Sequence, residues 1–228
     1  MKFTPVIILA VGFGFFFGCS GQELSTKEVQ LNNEIDSVSY SMGVNIAQNI
    51  KSQGMNEVNV NALTMAFNDI LNDQTPKMDA ATCNMVINNY FQNLQTARAE
   101  ESKHAGSAFL AENKNRENVT TTESGLQYEV IVEGNGPRPA AEDEVTVHYH
   151  GTTLDGTVFD SSVNRGEPAN FPVNGVIQGW QEALQLMSVG SKWKLYIPSD
   201  LAYGPRGAGQ SIGPNETLIF EVELISIN

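Results

Sequence analysis

The spacing of hydrophobic positions changes about halfway along the chain. From residue 24 to residue 115, apolar side chains recur every three or four residues; after Asn118 they alternate with polar ones. The first spacing lines up one side of an α-helix and the second one face of a β-strand. Asp36 is placed to cap a helix running through Val38, Met42, Ile46 and Ile50 to a stop at Gly54. A second helix starts after Asn59, with Val60, Leu63, Phe67, Ile70 and Leu71 on one stripe. Pro76 interrupts the pattern, and Asp79 offers an N-cap for a third helix reaching about Asn113, ~50 Å long at ~1.5 Å per residue. Its first half carries Met85, Val86, Tyr90, Phe91 and Leu94. From Gln95 to Ala108 it holds only alanines and polar residues apart from Gly106, so this part reads as a solvated rod or a linker, with Gly106 as the weak point.

In the second half Leu126 to Val132, Glu144 to Thr153, Lys192 to Ile197 and Thr217 to Ile227 read as strands. Gly134-Asn135-Gly136-Pro137, Asp155-Gly156, Val189-Gly190 and Gly204-Pro205 mark turns between them. Only Gly179 to Met187 reads as a helix there. The expected fold is α+β: an all-helical N-terminal region with a long connecting helix, then an antiparallel sheet curled around one short helix. Apolar helix stripes with no sheet to cover them need a partner. A second copy of the chain satisfies that need through a twofold homodimer; folding back on the long helix is the alternative.

Composition adds an address. Lys2 followed by an apolar run of 12 residues, Val6 to Phe17, is short for a membrane span and fits the apolar core of an export signal. Phe16-Phe17-Gly18-Cys19 resembles a bacterial lipobox, except that Phe16 stands where an aliphatic residue is usual. The expected organisation is therefore a signal peptide over 1–18, a helical region over 20–118 and a second domain over 119–228. An acylated Cys19 would anchor the exported protein in a membrane without spanning it. An outer-membrane lipoprotein facing the periplasm is the expected location. Cys83 is the one other cysteine, so the mature chain has no internal disulfide. The net charge of −13 is spread over both halves and offers no basic face to a nucleic acid.

The chemistry lies in Val147-His148-Tyr149-His150-Gly151 and Asp155-Gly156 through Phe159-Asp160-Ser161-Ser162, followed by Val176-Ile177-Gln178-Gly179-Trp180. Aromatic groups around a single carboxylate suit an apolar ligand pocket with one polar handle. No nucleophile, metal cage or phosphate loop accompanies them, and no cofactor is called for. These segments, with Met187-Ser188-Val189-Gly190, Ala202-Tyr203-Gly204 and Leu218-Ile219-Phe220-Glu221-Val222-Glu223-Leu224, resemble the FKBP-type peptidyl-prolyl cis-trans isomerases across nearly all of residues 124–228. Phe109 to Lys114 and Ser124 to Tyr128 are similar to the junction in the macrophage-infectivity-potentiator-like subgroup, which joins a helical dimerisation region to the isomerase domain.

The resemblance implies roles for individual residues. Trp180 would floor a proline pocket walled by Tyr149, Phe159 and Phe220. Val176 and Ile177 would line one side, backbone groups near Ile177 would hold the peptide, and Ile212 would close the rim. Tyr203 would offer its hydroxyl to a substrate carbonyl, and Asp160 would be the polar handle near Arg165. Ala169 and Leu201 depart from aromatic residues common in single-domain members; both would lie near the rim and bear on peptide preference and on affinity for macrolide inhibitors of the family. Gln210 stands where the subgroup often has glycine. Taken singly, each aromatic could be plain core, and Asp160 could cap the turn at Ser161-Ser162. His148 and His150 share a strand face and read as a solvent-facing pair rather than a metal site.

Rotation about a peptide bond costs ~18–20 kcal/mol because resonance is lost in the twisted state. Water favours the polar planar amide, so an apolar cavity lowers that barrier, and binding that prefers the twisted form lowers it further. The expected function is isomerisation of X–Pro bonds in exported polypeptides. The alternative is a dimeric periplasmic chaperone in which isomerisation is secondary.

Overall fold

The computed structural model describes residues 30–228, so the export signal and Cys19 lie outside the described residues. These residues form two compact units divided after Gly54. The first holds α1 (Glu34–Ser52). Its cap is Asn33 and not Asp36: the Asn33 side chain accepts from the Asp36 backbone N–H at 2.9 Å. Asp36 instead sits in the first turn, where its charge complements the positive end of the helix. Ile35, Val38, Tyr40 and Met42 remain exposed along α1.

The second unit begins with α2 (Val60–Leu71) and α3 (Ala80–Asn113), capped by Asn59 and Asp79 as their sequences predict. The third helix is a continuous rod of 34 residues that passes through Gly106 without a break. Gly106 is not a weak point, because it is buried against the second half of the chain. A Cβ there would lie 2.3 Å from the Thr217 hydroxyl oxygen. Ala99, Ser102, Gly106, Phe109, Leu110 and Asn113 are the residues of this stretch that lose solvent, and they recur at helical spacing. Small side chains thus let the polar half of α3 lie close to the sheet. Its far end is bonded there: Asn113 donates to the Gln127 side chain at 2.8 Å, and Gln127 donates to the Leu110 carbonyl at 2.9 Å. Arg116 reaches the Tyr196 hydroxyl at 2.8 Å and Glu129 at 2.9 Å.

Seven antiparallel strands follow: β1 (Thr120–Thr121), β2 (Gln127–Val132), β3 (Glu144–Thr153), β4 (Val158–Ser161), β5 (Ala169–Pro172), β6 (Lys192–Ile197) and β7 (Leu218–Ile227). Their order across the sheet is β1-β2-β6-β7-β3-β4, with β5 also paired to β3. The four strands read from the alternating pattern are β2, β3, β6 and β7, with ends within one residue of expectation. Three short strands, and the one-turn helix α4 (Ser162–Arg165), were not expected.

Helix α5 (Gln178–Leu186) crosses the concave face and buries Trp180, Ala183 and Leu184. Against it lie Val145, Val147 and Tyr149 of β3, Trp193, Leu195 and Ile197 of β6, and Phe220, Val222 and Leu224 of β7. These are alternate residues of each strand, so one face of the sheet is core; the other is mostly polar but buries Tyr196 beside Phe109 of α3. Gly179 sets how deeply α5 sinks, since a Cβ there would stand 2.5 Å from Cγ2 of Ile197. Gly179→Ala is therefore expected to lift the helix and to cost about 1–3 kcal/mol by overpacking. Urea unfolding of the two proteins measures the difference.

Candidate functional site

At the N-terminal end of α5 the concave face opens into a cavity of about 710 Å³. Trp180 is part of its lining. The rings of Tyr149, Phe220 and Phe171 stand nearly perpendicular to this indole, with centroids 5.4, 5.2 and 5.9 Å away. Phe159 continues the wall by meeting Phe220 at 5.3 Å and 82°. Perpendicular contacts of this kind place the positive edge of one ring on the negative face of another, which holds the set in a fixed shape.

Two strands carry most of that wall. Tyr149 and Gly151 alternate on β3, opposite Val222 and Phe220 of β7. Asp160 of β4 pairs with Gly151. Glycine at 151 is a steric requirement: a Cβ would fall 2.7 Å from Phe159 and 2.8 Å from Phe220. Val176, Ile177, Tyr203 and Ile212 complete the lining, so nine of the ten residues singled out in the sequence share one concavity. Arg165 is the tenth. It does not line the cavity but is bonded to Asp160.

Asp160 anchors the polar edge. One carboxylate oxygen accepts from the Tyr149 hydroxyl and the other from the Arg165 guanidinium. Arg165 also donates to the Tyr149 oxygen at 3.0 Å, and its guanidinium lies 5.5 Å from the Tyr149 ring centre. Burial pushes the Asp160 carboxyl up, but the hydrogen bonds from Tyr149 and Arg165 outweigh it and hold the group below the usual carboxylate range. The Tyr149 phenol moves the other way: burial, followed by its bond to Asp160, raises it. At neutral pH the trio is thus a carboxylate, a neutral phenol and a guanidinium. Tyr203 is also raised, by burial and then by the nearby Asp160 charge. Ser161, not Asp160, caps α4, accepting from the Asn164 N–H at 3.1 Å.

Phe171, Gly175 and the segment 208–211 line the cavity without having been expected there. Phe171 and Ala169 are alternate residues of β5 and both pack on the core. Ala169 and Leu201 pack against the core and do not line the cavity. Segment 208–211 is the tip of a hairpin in which Ala208 and Ile212 exchange backbone bonds of 2.9 and 3.1 Å. Its glycines at 207 and 209 adopt positive φ of 63° and 57°. His148 and His150 face away from the cavity and are hydrogen-bonded to Ser162 and Ser161 at 3.1 and 2.9 Å.

The geometry agrees with comparisons against known proteins. Residues 136–225 match the model of the FKBP-type peptidyl-prolyl cis-trans isomerase domain, and residues 35–130 match the domain amino-terminal to it. The chain is 47% identical over 192 residues to the FKBP-type 22 kDa peptidyl-prolyl cis-trans isomerase of Escherichia coli, covering 83% of this chain and 93% of that one. It is 42% identical over 210 residues to the outer membrane protein MIP of Legionella longbeachae, covering 89% and 90%. The crystal structure of FkpA from Escherichia coli superimposes with a TM-score of 0.69 at 30% identity, over 86% of this chain and 98% of that one. The chain belongs to the FKBP-type peptidyl-prolyl cis-trans isomerases.

The pH dependence of this site has a definite sign. Asp160 is lowered on folding, so its bonds stabilise the protein fully above the unfolded carboxyl value near 3.8 and are lost as pH falls through the folded value. Asp160 and Arg165 are about half exposed, at 46% and 45%, which limits the gain to about 1 kcal/mol. Asp160→Asn should narrow the stability gap to wild type as pH is lowered from 7 to 3, as measured by urea unfolding at each pH.

Proposed function

We propose that this protein turns X–Pro bonds of exported polypeptides between cis and trans in the cavity beside Trp180. The observation that carries the reading is a single indole met nearly perpendicularly by aromatic rings, with one charged group at the margin. In this reading a proline ring rests on Trp180 between Tyr149, Phe159 and Phe220. Val176 and Ile177 line its flank, and the N-terminus of α5, which no side chain caps, receives a peptide carbonyl at the Ile177 backbone. Tyr203 presents its hydroxyl to a second carbonyl, and Ile212 covers the rim.

The reaction needs no covalent step. Twisting the imide removes its resonance and much of its charge separation, so removal from water destabilises the planar reactant more than the twisted state. The Asp160–Arg165–Tyr149 trio holds the wall upright and keeps a local dipole beside the rotating carbonyl. Slow uncatalysed isomerisation, tens to hundreds of seconds, is the step that such an enzyme shortens for a folding chain.

The proposed organisation is an export signal over 1–18, a helical dimerisation region over 20–118 and the isomerase domain over 119–228. The homodimer would form through the N-terminal helices. Its support is the apolar surface that one chain leaves bare: Val60, Leu63, Phe67, Ile70 and Leu71 on α2, and Met85, Val86 and Tyr90 on α3. Acylation of Cys19 would anchor the protein in the envelope, facing the periplasm; no helix among the described residues is long and apolar enough to cross a membrane. Macrolide inhibitors of the family would compete for the aromatic cavity. The same bare helices favour one second reading, a dimeric chaperone that grips unfolded chains and isomerises them secondarily.

Asp160→Ala is expected to lower kcat/KM for a proline tetrapeptide about 10–100-fold, the worth of a charge-assisted bond of ~1.5–3 kcal/mol. A folded wild-type chain that leaves the cis-to-trans rate unchanged would sink the enzyme reading. Phe67→Glu should convert the dimer to monomer in analytical ultracentrifugation while leaving tetrapeptide turnover intact. Loss of aggregation suppression in Phe67→Glu, but not in Asp160→Ala, would identify the chaperone as the main activity.

A further inference from the structure

The hairpin that covers the cavity is closed at its base by one residue, and that residue is held by α3. Tyr203, at the start of the loop, lines the cavity, as do Ala208, Gln210 and Ile212 near its tip. The loop returns at Asn215, whose backbone N–H donates to the Gly204 carbonyl at 2.8 Å and so ties its two ends together. Asn215 adopts φ of 57°, a left-handed conformation that asparagine tolerates better than most residues. Its side-chain amide leaves the loop and donates to the Ala99 carbonyl of α3 at 3.2 Å. Two residues on, Thr217 is buried against Gly106, one of the closest approaches of the helix to the domain.

We propose that Asn215 is a positioning residue through which α3 sets the placement of the cavity hairpin, and with it the affinity for the peptide. Asn215 touches no substrate in this scheme. The polar, small-residue half of α3 is then part of the binding apparatus rather than a spacer between two domains. Losing the amide bond frees the base of the hairpin, so Gln210 and Ile212 are held less firmly over a bound proline. The consequence falls on KM more than on kcat, because the rings around Trp180 are untouched. This inference rests on the cavity being the peptide site, but the hairpin's mobility can be read without any turnover.

Two substitutions remove the donor without straining the backbone. Asn215→Gly keeps the left-handed conformation, and Asn215→Asp keeps the shape but places an acceptor against the Ala99 carbonyl. Both are expected to accelerate hydrogen exchange at the Ala208 and Ile212 amides and to raise KM for a proline tetrapeptide about threefold to tenfold, with kcat within about twofold of wild type. Gly106→Ala, acting only from the helix side, should produce the same exchange and KM changes, and adding Thr217→Ala should lessen them by removing the hydroxyl, the nearest atom. Unchanged exchange at both amides in the two Asn215 variants overturns the proposal. So does a response to Asn215 variants that Gly106→Ala does not share, since the hold would then be local to the loop. If Gly106→Ala fails to fold, the doubly substituted protein and the Asn215 pair decide. A wild-type chain without isomerase activity removes the peptide-site reading alone, and the exchange rates still decide whether α3 holds the hairpin.

Discussion

Depth of burial of one indole is the constraint on which the rest of this domain turns. Trp180 must sit low enough for three other rings to meet it perpendicularly, at 5.2 to 5.9 Å, and high enough to leave a cavity beside it. That depth is set from below, by Gly179 against Ile197, and from the side, by Gly151 against Phe159 and Phe220. Neither glycine is there to make a turn. Each is a missing methyl group that lets aromatic and aliphatic side chains close to contact distance. The aromatic set is consequently both the hydrophobic core and the lining of the site, so the residues that bind also hold the domain together.

Beside this apolar set the charged groups are few and paired. Asp160 is fully occupied by Tyr149 and Arg165, which fixes the phenol that forms one wall of the cavity. A free carboxylate there would draw water into the hollow. With both oxygens engaged, its charge is held at the margin of a mainly aromatic hollow.

Much of this was legible from residue order because the long elements obey simple periods. The strands carrying Tyr149, Trp193 and Phe220 alternate over most of their length, and Asn59 and Asp79 announce their helices. What escaped the pattern has physical reasons. The strands β1, β4 and β5 hold two to four residues, too few for alternation to register. Asn33 and Asp36 both suit a cap, and only the geometry of the first turn separates them. Gly106 looks like a flaw in a helix when read along the chain, because its reason is Thr217, more than a hundred residues away. Phe171 and the 208–211 tip lie on segments that owe their conformation to neighbours, not to their own composition.

The sheet also ends in a particular way. Its outer strand on one side is the two-residue β1, and on the other side the edge is divided between β4 and β5, four residues each. Extended chains add readily to long, flat, unpaired edges, and a protein that meets unfolded polypeptides meets such chains constantly. Here the free backbone comes in short stretches, and on the β1 side it is the part of β2 from Glu129 to Val132 that β1 does not reach. A passing chain finds only a few rungs there, so its hold on the protein's own hydrogen-bond ladder stays weak.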